Sequence, residues 1–138
     1  MSKQYQKVNV GGFLLLDNKL LVIRRSQKES FMPGYYELPG GKVNFGEDPK
    51  DDIIREFFEE SNLKIKVLDP FNTFADITEN NNRHNIEIVY FVELTGNIDD
   101  LKLSDAHDDF KWITSEEVST LITSDIMKNN IQKGFNKI

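Results

Sequence analysis

Glu56, Glu59 and Glu60 lie within a 23-residue segment, GKVNFGEDPKDDIIREFFEESNL, that runs from Gly41 to Leu63. On a helix, spacings of three and four residues bring side chains onto one face. Ile53, Ile54, Phe57 and Phe58 fall on the opposite side at 3.6 residues per turn. One face can then bury itself while the other presents three carboxylates to a single point. Three like charges so close repel one another unless a cation sits among them. Oxygen-only ligands of this kind suit Mg²⁺ or Mn²⁺ rather than zinc. Three glutamates alone also describe a solvated acidic face, so the surroundings must decide.

The flanking residues supply a helix with both ends marked. Asp48 is suited to cap its start, Pro49 to occupy its first turn, and Asp51 to place a negative charge near its positive end. The helix is expected to reach about Ser61, with Asn62 as a left-handed C-terminal cap. Gly40, Gly41 and Gly46 permit tight turns and close approach of backbone to phosphate. Upstream, apolar residues 8–16 and 20–23 are joined by Asp17-Asn18-Lys19, a hairpin signal. Residues 35–38 form a short strand candidate ended by Pro39-Gly40-Gly41. Downstream, residues 64–68, 71–77, 86–94 and 110–113 read as strands. The polar stretch TENNNRHN reads as a mobile surface loop, Ser115 as the cap of a helix, and the residues after Ser124 as a last helical segment.

In register, Gly41, Glu47, Arg55, Glu56, Phe57, Glu59, Glu60 and Leu63 resemble the signature of the Nudix hydrolase family, a glycine, five residues, a glutamate, seven residues and R-E-x-x-E-E. Asn62 departs from it, standing where the family has glycine. The resemblance implies an α/β (mixed α+β) chain with the Nudix fold, a mixed β-sheet sandwiched between α-helices, as one domain over residues 1–138. It implies cleavage of a phosphoanhydride bond in a nucleoside diphosphate derivative, with Mg²⁺ or Mn²⁺. Glu56, Glu59 and Glu60 would hold the metal, the Gly40 carbonyl would add a ligand, and Glu56 would orient or deprotonate water. Arg55 would orient Glu56. The catalytic set is thus Glu56, Glu59 and Arg55, with Glu47 either a ligand or a supporting carboxylate.

A second departure lies downstream. The family often draws an acidic ligand from about six residues before a W-(V/I/L)-(S/T) tryptophan, here Trp112, and that position holds Ala106. Asp105, His107 and Asp108 flank it, and Glu87 is a strand acid able to reach in; the aspartates are favoured over the histidine. The segment from His107 to Ser115 also resembles GDP-mannose mannosyl hydrolases, in which the matching histidine is a general base. Glu37 either lines the same site or meets a local partner. Phe74, Tyr90 and Phe91 either stack on a base or fill the core. Arg24, Arg25, Arg83 and Lys42 are candidate phosphate partners.

Across 138 residues, 38% hydrophobic and 29% charged is the composition of an ordinary globular chain. The absence of cysteine excludes disulfides, zinc–thiolate sites and cysteine nucleophiles. A net charge of −6 with no basic stripe argues against a nucleic-acid polymer as partner. The first residues lack a signal-peptide core and no apolar run reaches membrane-spanning length, so no membrane and a cytoplasmic location are expected. Small size favours a nucleoside triphosphate, an oxidised one included, as the small-molecule substrate. Nucleotide sugars, ADP-ribose among them, are the alternative. A nucleotide-binding module without turnover is the alternative of another class. Oligomeric state leaves no trace in the residues.

Overall fold

The structure, a computed structural model, describes residues 3–138; Met1 and Ser2 of the expected domain lie outside the described residues. Its elements are β1 (Tyr5–Leu16), β2 (Lys19–Arg25), β3 (Tyr36–Glu37), β4 (Gly40–Lys42), α1 (Pro49–Ser61), β5 (Ile65–Thr78), β6 (Arg83–Leu94), β7 (His107–Ile113) and α2 (Asp125–Asn136). The sheet runs β3-β2-β1-β6-β5, with β4 paired to β1 and β7 to β2. β1 lies parallel to β6 from Tyr5 to Leu14 and antiparallel to β2 and β4, so the sheet is mixed.

Successive strand residues point to opposite faces, and both faces are covered. Phe13, Leu20, Val22 and Val89 pack with Ile131 of α2 on one side. Leu14, Leu21, Ile23 and Tyr90 pack with Ile53 and Phe57 of α1 on the other. That two-sided burial is why GGFLLL and LLVI read as unbroken apolar runs. The hairpin between β1 and β2 turns on Asp17 and Asn18 with φ of 53° and 64°, a mirror-image turn whose twist matches that of the strands.

Helix α1 has the expected ends. The Asp48 side chain accepts from the Lys50 N–H, and Asn62 closes the helix at φ 61° with its own N–H donating to the Phe58 carbonyl. Its apolar stripe is narrower than expected. Ile53 and Phe57, one turn apart, are fully buried, whereas Ile54 and Phe58 are 40% and 43% exposed. Each lies about 100° further round a helix of 3.6 residues per turn, beyond the line of contact with the sheet.

Four other expectations are corrected. The two strands expected over 64–68 and 71–77 are one, β5, in which register shifts around Pro70 absorb a residue that has no N–H to donate. TENNNRHN is not a loop throughout: β5 and β6 run into it, and Glu79, Asn80 and Asn81 at positive φ make a tight turn. β7 begins at His107, three residues early, because it pairs with β2 back to Arg25. The helix expected at Ser115 is a 3₁₀ turn over Ser115–Thr120 capped one residue earlier, since the Glu117 carboxylate accepts from both the N–H and the hydroxyl of Thr114.

Candidate active site

Strand β4, hidden in the sequence by its glycines, builds one wall of the site. A Cβ on Gly40 would run into the Val10 carbonyl, and one on Gly41 into the Glu56 carboxylate. The absence of side chains there brings β4 against both β1 and α1. The Gly40 N–H then donates to Glu60 Oε1 at 2.8 Å. Glu56 and Glu60 both line a cleft of about 320 Å³. Glu37, Asp76 and Glu87 add carboxylates to its lining, and Lys7, Arg25, Lys42 and Arg83 face them with positive charge.

Burial dominates the electrostatics. It pushes the Glu60 carboxyl up to about 9, with Glu37 and Glu56 adding to the rise and the Gly40 N–H opposing it. Burial also raises Glu87 to about 7, with Glu37 and Asp76 adding to the rise. Glu56 is raised too, chiefly by burial and partly offset by Arg55. Lys7 moves down through burial and through the nearby Arg83 and Lys42. The cleft therefore holds acids that resist ionising together and cations that crowd one another, an arrangement suited to a charged ligand and its counter-ion.

The outer edge of α1 is organised around Arg55. Its guanidinium contacts Asp52, lies 3.1 Å from Glu56 and 3.2 Å from Glu59, and reaches Glu47 at 3.6 Å. Asp52 is fully buried and accepts also from the Asn44 N–H. The structure thus does not bring the three helix glutamates to one point. Glu56 and Glu60 line the cleft; Glu59 lies outside it against Arg55 with its side chain 55% exposed, and Glu47 is likewise turned to Arg55.

The stretch before Trp112 behaves unevenly. Asp105 is exposed, Asp108 pairs with Arg24 at 2.7 Å, and Ala106 uses its carbonyl to accept from the Ser26 N–H. Neither aspartate lines the cleft. His107 turns inward instead. Strand alternation would place it with Asp109 and Lys111, which engage Tyr36, but a register shift between Arg24 and Arg25 breaks the alternation. Its Nε2 lies 2.8 Å from Glu37 Oε2 and its Nδ1 3.8 Å from Glu60 Oε2. Glu37, Glu60 and His107 offer three ligand atoms within 4.8 Å of one another, a group able to hold a metal ion.

Of the candidate aromatic platforms, Phe74 lines the cleft, whereas Tyr90 belongs to the core on the α1 side and Phe91 packs against Phe13 and Phe71. Several lining residues escape the sequence, Lys7, Phe31, Asp76 and Asn85 among them. Phe31 stands in a polar loop, with the guanidinium groups of Arg25 and Arg83 at 5.7 and 5.6 Å from its ring. Asp76 and Asn85 meet across the β5–β6 pair, through a hydrogen bond of 2.9 Å. Asp52 had one available signal, its spacing of three residues from Arg55. The others had none, because the pairing of β6 with β1 and β5 and the fold of the loop after β2 bring them to the cleft.

A family model described as NUDIX domain matches residues 5–133. An ADP-ribose pyrophosphatase of Methanocaldococcus jannaschii is 34% identical over 89 residues, 64% of this chain and 52% of that protein, so this chain matches about half of its length. A MutT-like protein of Streptomyces ambofaciens is 28% identical over 119 residues, 86% of this chain and 70% of its own. Among solved structures, the MutT protein of Methanosarcina mazei Go1 superposes with a TM-score of 0.82 at 24% identity, covering 99% of this chain and 96% of that one. At that identity the likeness speaks to the fold.

Proposed function

The chain belongs to the NUDIX domain family, and from that premise we propose that it is a metal-dependent hydrolase of nucleoside diphosphate derivatives. Its first substrate class is nucleoside triphosphates, oxidised ones included, cleaved to monophosphate and pyrophosphate. One observation carries this reading: Glu56 and Glu60 share a cleft with Lys7, Arg25, Lys42 and Arg83. Acids alone would repel a polyphosphate, and cations alone would hold it without promoting attack by water.

The donor set fits a divalent cation, because burial and the neighbouring Glu37 and Glu56 penalise the charged form of Glu60. Mg²⁺ or Mn²⁺ would be held by Glu56 and Glu60, with Glu59 and the Gly40 carbonyl as further candidates from the resemblance. When bound, the ion neutralises phosphate oxygens and aligns the attacking water. Arg55 holds Glu56 Oε1, which leaves the second carboxylate oxygen to orient that water. Arg25, Lys42 and Arg83 take phosphate oxygens in this reading. Glu87, from β6, supplies the acid for which position 106 has only Ala. A cysteine-free chain acting on nucleotides fits the cytoplasm.

ADP-ribose is the second reading, favoured by the relative named for that activity. The GDP-mannose version requires His107 as base, but that ring is buried against Glu37 and does not line the cleft. A panel of nucleoside triphosphates, ADP-ribose and nucleotide sugars, assayed with Mg²⁺ and with chelator, tests the proposal. Release of pyrophosphate from a triphosphate, lost with chelator, is expected. Faster conversion of ADP-ribose to AMP would select the second reading, and tight binding without turnover of any compound would make the chain a binding module.

A further inference from the structure

We propose that His107 gives this protein a nitrogen-containing metal site, in which His107 Nδ1 and Glu60 Oε2 hold a later first-row transition ion such as Co²⁺ or Zn²⁺. The inference rests on the reading of Glu60 as a metal-holding residue and extends it to the choice of ion. His107 is held with one ring nitrogen satisfied and the other bare. Its Nε2 lies 2.8 Å from Glu37 Oε2, and Glu37 is also 3.4 Å from Arg25 Nη1. With the proton on Nε2 donated to Glu37, Nδ1 keeps a lone pair. That atom is buried, in a side chain 1% exposed, and has no hydrogen-bond partner among the described residues.

The lone pair faces Glu60 Oε2 across 3.8 Å. That gap is too long for a hydrogen bond between them. It fits two metal–ligand bonds of about 2.1 Å meeting at a wide angle. Glu60 is fixed from its other side by the Gly40 N–H on Oε1, so Oε2 has no freedom to turn elsewhere without losing that bond. A carboxylate holding the far nitrogen of an imidazole is the usual support of a metal-bound histidine, fixing its tautomer and orientation. Magnesium disfavours imidazole, whereas the later first-row ions accept it readily. The turn that leads into His107 is tied to the same helix end, because the Ser104 N–H donates to the Glu60 carbonyl and the His107 N–H to the Ser104 carbonyl.

The chain has two histidines, which makes a direct readout simple. The full-length protein with ¹⁵N-labelled histidine is titrated with Zn²⁺ and, separately, with Mg²⁺. One equivalent of Zn²⁺ should shift Nδ1 of His107 while Nε2 stays protonated, and millimolar Mg²⁺ should leave both nitrogens in place. His84, partly exposed with its Nδ1 near Gln6, is the internal reference. By calorimetry, His107→Gln and Glu37→Gln should each weaken Zn²⁺ binding by at least about tenfold. A His107 ring unmoved by saturating Zn²⁺ overturns the site; movement of His84 alone overturns it equally, as surface binding. Unmoved His107 with intact Mg²⁺-dependent nucleotide hydrolysis sinks the site and spares the proposed function. A shifted ring in a protein that hydrolyses no nucleotide does the reverse.

Discussion

Glu59 and Glu60 are neighbours in sequence and occupy two different regions of the molecule. Glu59 belongs to the outer edge of α1, where Arg55 gathers Glu47, Asp52, Glu56 and Glu59 and water screens much of the attraction. Glu60 belongs to the inner edge, its side chain 17% exposed, between the Gly40 N–H and His107. On the outer edge a permanent cation, Arg55, is built into the protein and pairs with Asp52 and Glu59 without a ligand, while Glu56 is shared between that cation and the cleft. On the inner edge burial penalises the charged form of the acids even with Lys7, Arg25, Lys42 and Arg83 across the same cleft, and that penalty is left for a bound cation to relieve. The same residue type thus supplies structure on one side of a helix and a binding demand on the other, and burial makes the difference.

The largest expected effect tests that division directly. Glu60→Gln should lower kcat for the preferred nucleotide by at least about a hundredfold, as loss of a charged group at a reacting centre does. Glu59→Gln should cost only about tenfold, since its carboxylate lies outside the cleft. Equal losses in side-by-side steady-state assays would break the comparison and return Glu59 to the metal site.

Stability without metal sharpens it from the other direction. The folded-state Glu60 carboxyl lies at about 9, above its ordinary value of 4.5, so the native state binds the extra proton between those limits. Stability in chelating buffer should therefore fall as pH rises from about 5 towards 9. Glu60→Gln should remove most of that slope above about pH 7, where Glu87 no longer contributes, and raise Tm at pH 8, whereas Glu59→Gln should leave the slope alone. Thermal melts of the three proteins from pH 5 to 9 decide it, and parallel curves would show that Glu60 is not penalised by its surroundings.

The outer edge has its own weak point in Asp52, fully buried against Arg55 and the Asn44 N–H. Asp52→Asn removes the buried charged acceptor that Arg55 and the Asn44 N–H share and should cost about 2 kcal/mol by chemical denaturation. Activity should fall less than in Glu60→Gln, through looser placement of Glu56. A variant as stable as the parent would mean that Glu47, Glu56 and Glu59 satisfy Arg55 without the Asp52 carboxylate. The smallest effect is a control on the helix that carries both edges. Asn62→Gly should be neutral, and Asn62→Val should cost about 1 kcal/mol by forcing a β-branched residue to φ near 61°, with rate and metal dependence unchanged.

What was legible in the residues was local. Asp48, Pro49 and Asn62 mark the ends of α1 because caps act within one turn, and Asp17-Asn18 marks the first hairpin because both residues tolerate positive φ. The register from Gly41 to Leu63 identified the family, since its side chains are spaced by a single helix and one turn before it. Tertiary structure alone decided which helix acids face the cleft, because Glu59 and Glu60 differ only in what packs beside them. It also decided β4, whose Gly40 and Gly41 carry no strand signal and are required by contact with Val10 and Glu56. His107 meets Glu37 across 70 residues, and Glu60 at the end of α1, only because a bulge opposite Arg24 and Arg25 rotates it inward. Turn chemistry and helix periodicity are properties of neighbouring residues; burial, and with it the charge state of an acid, belongs to the whole fold.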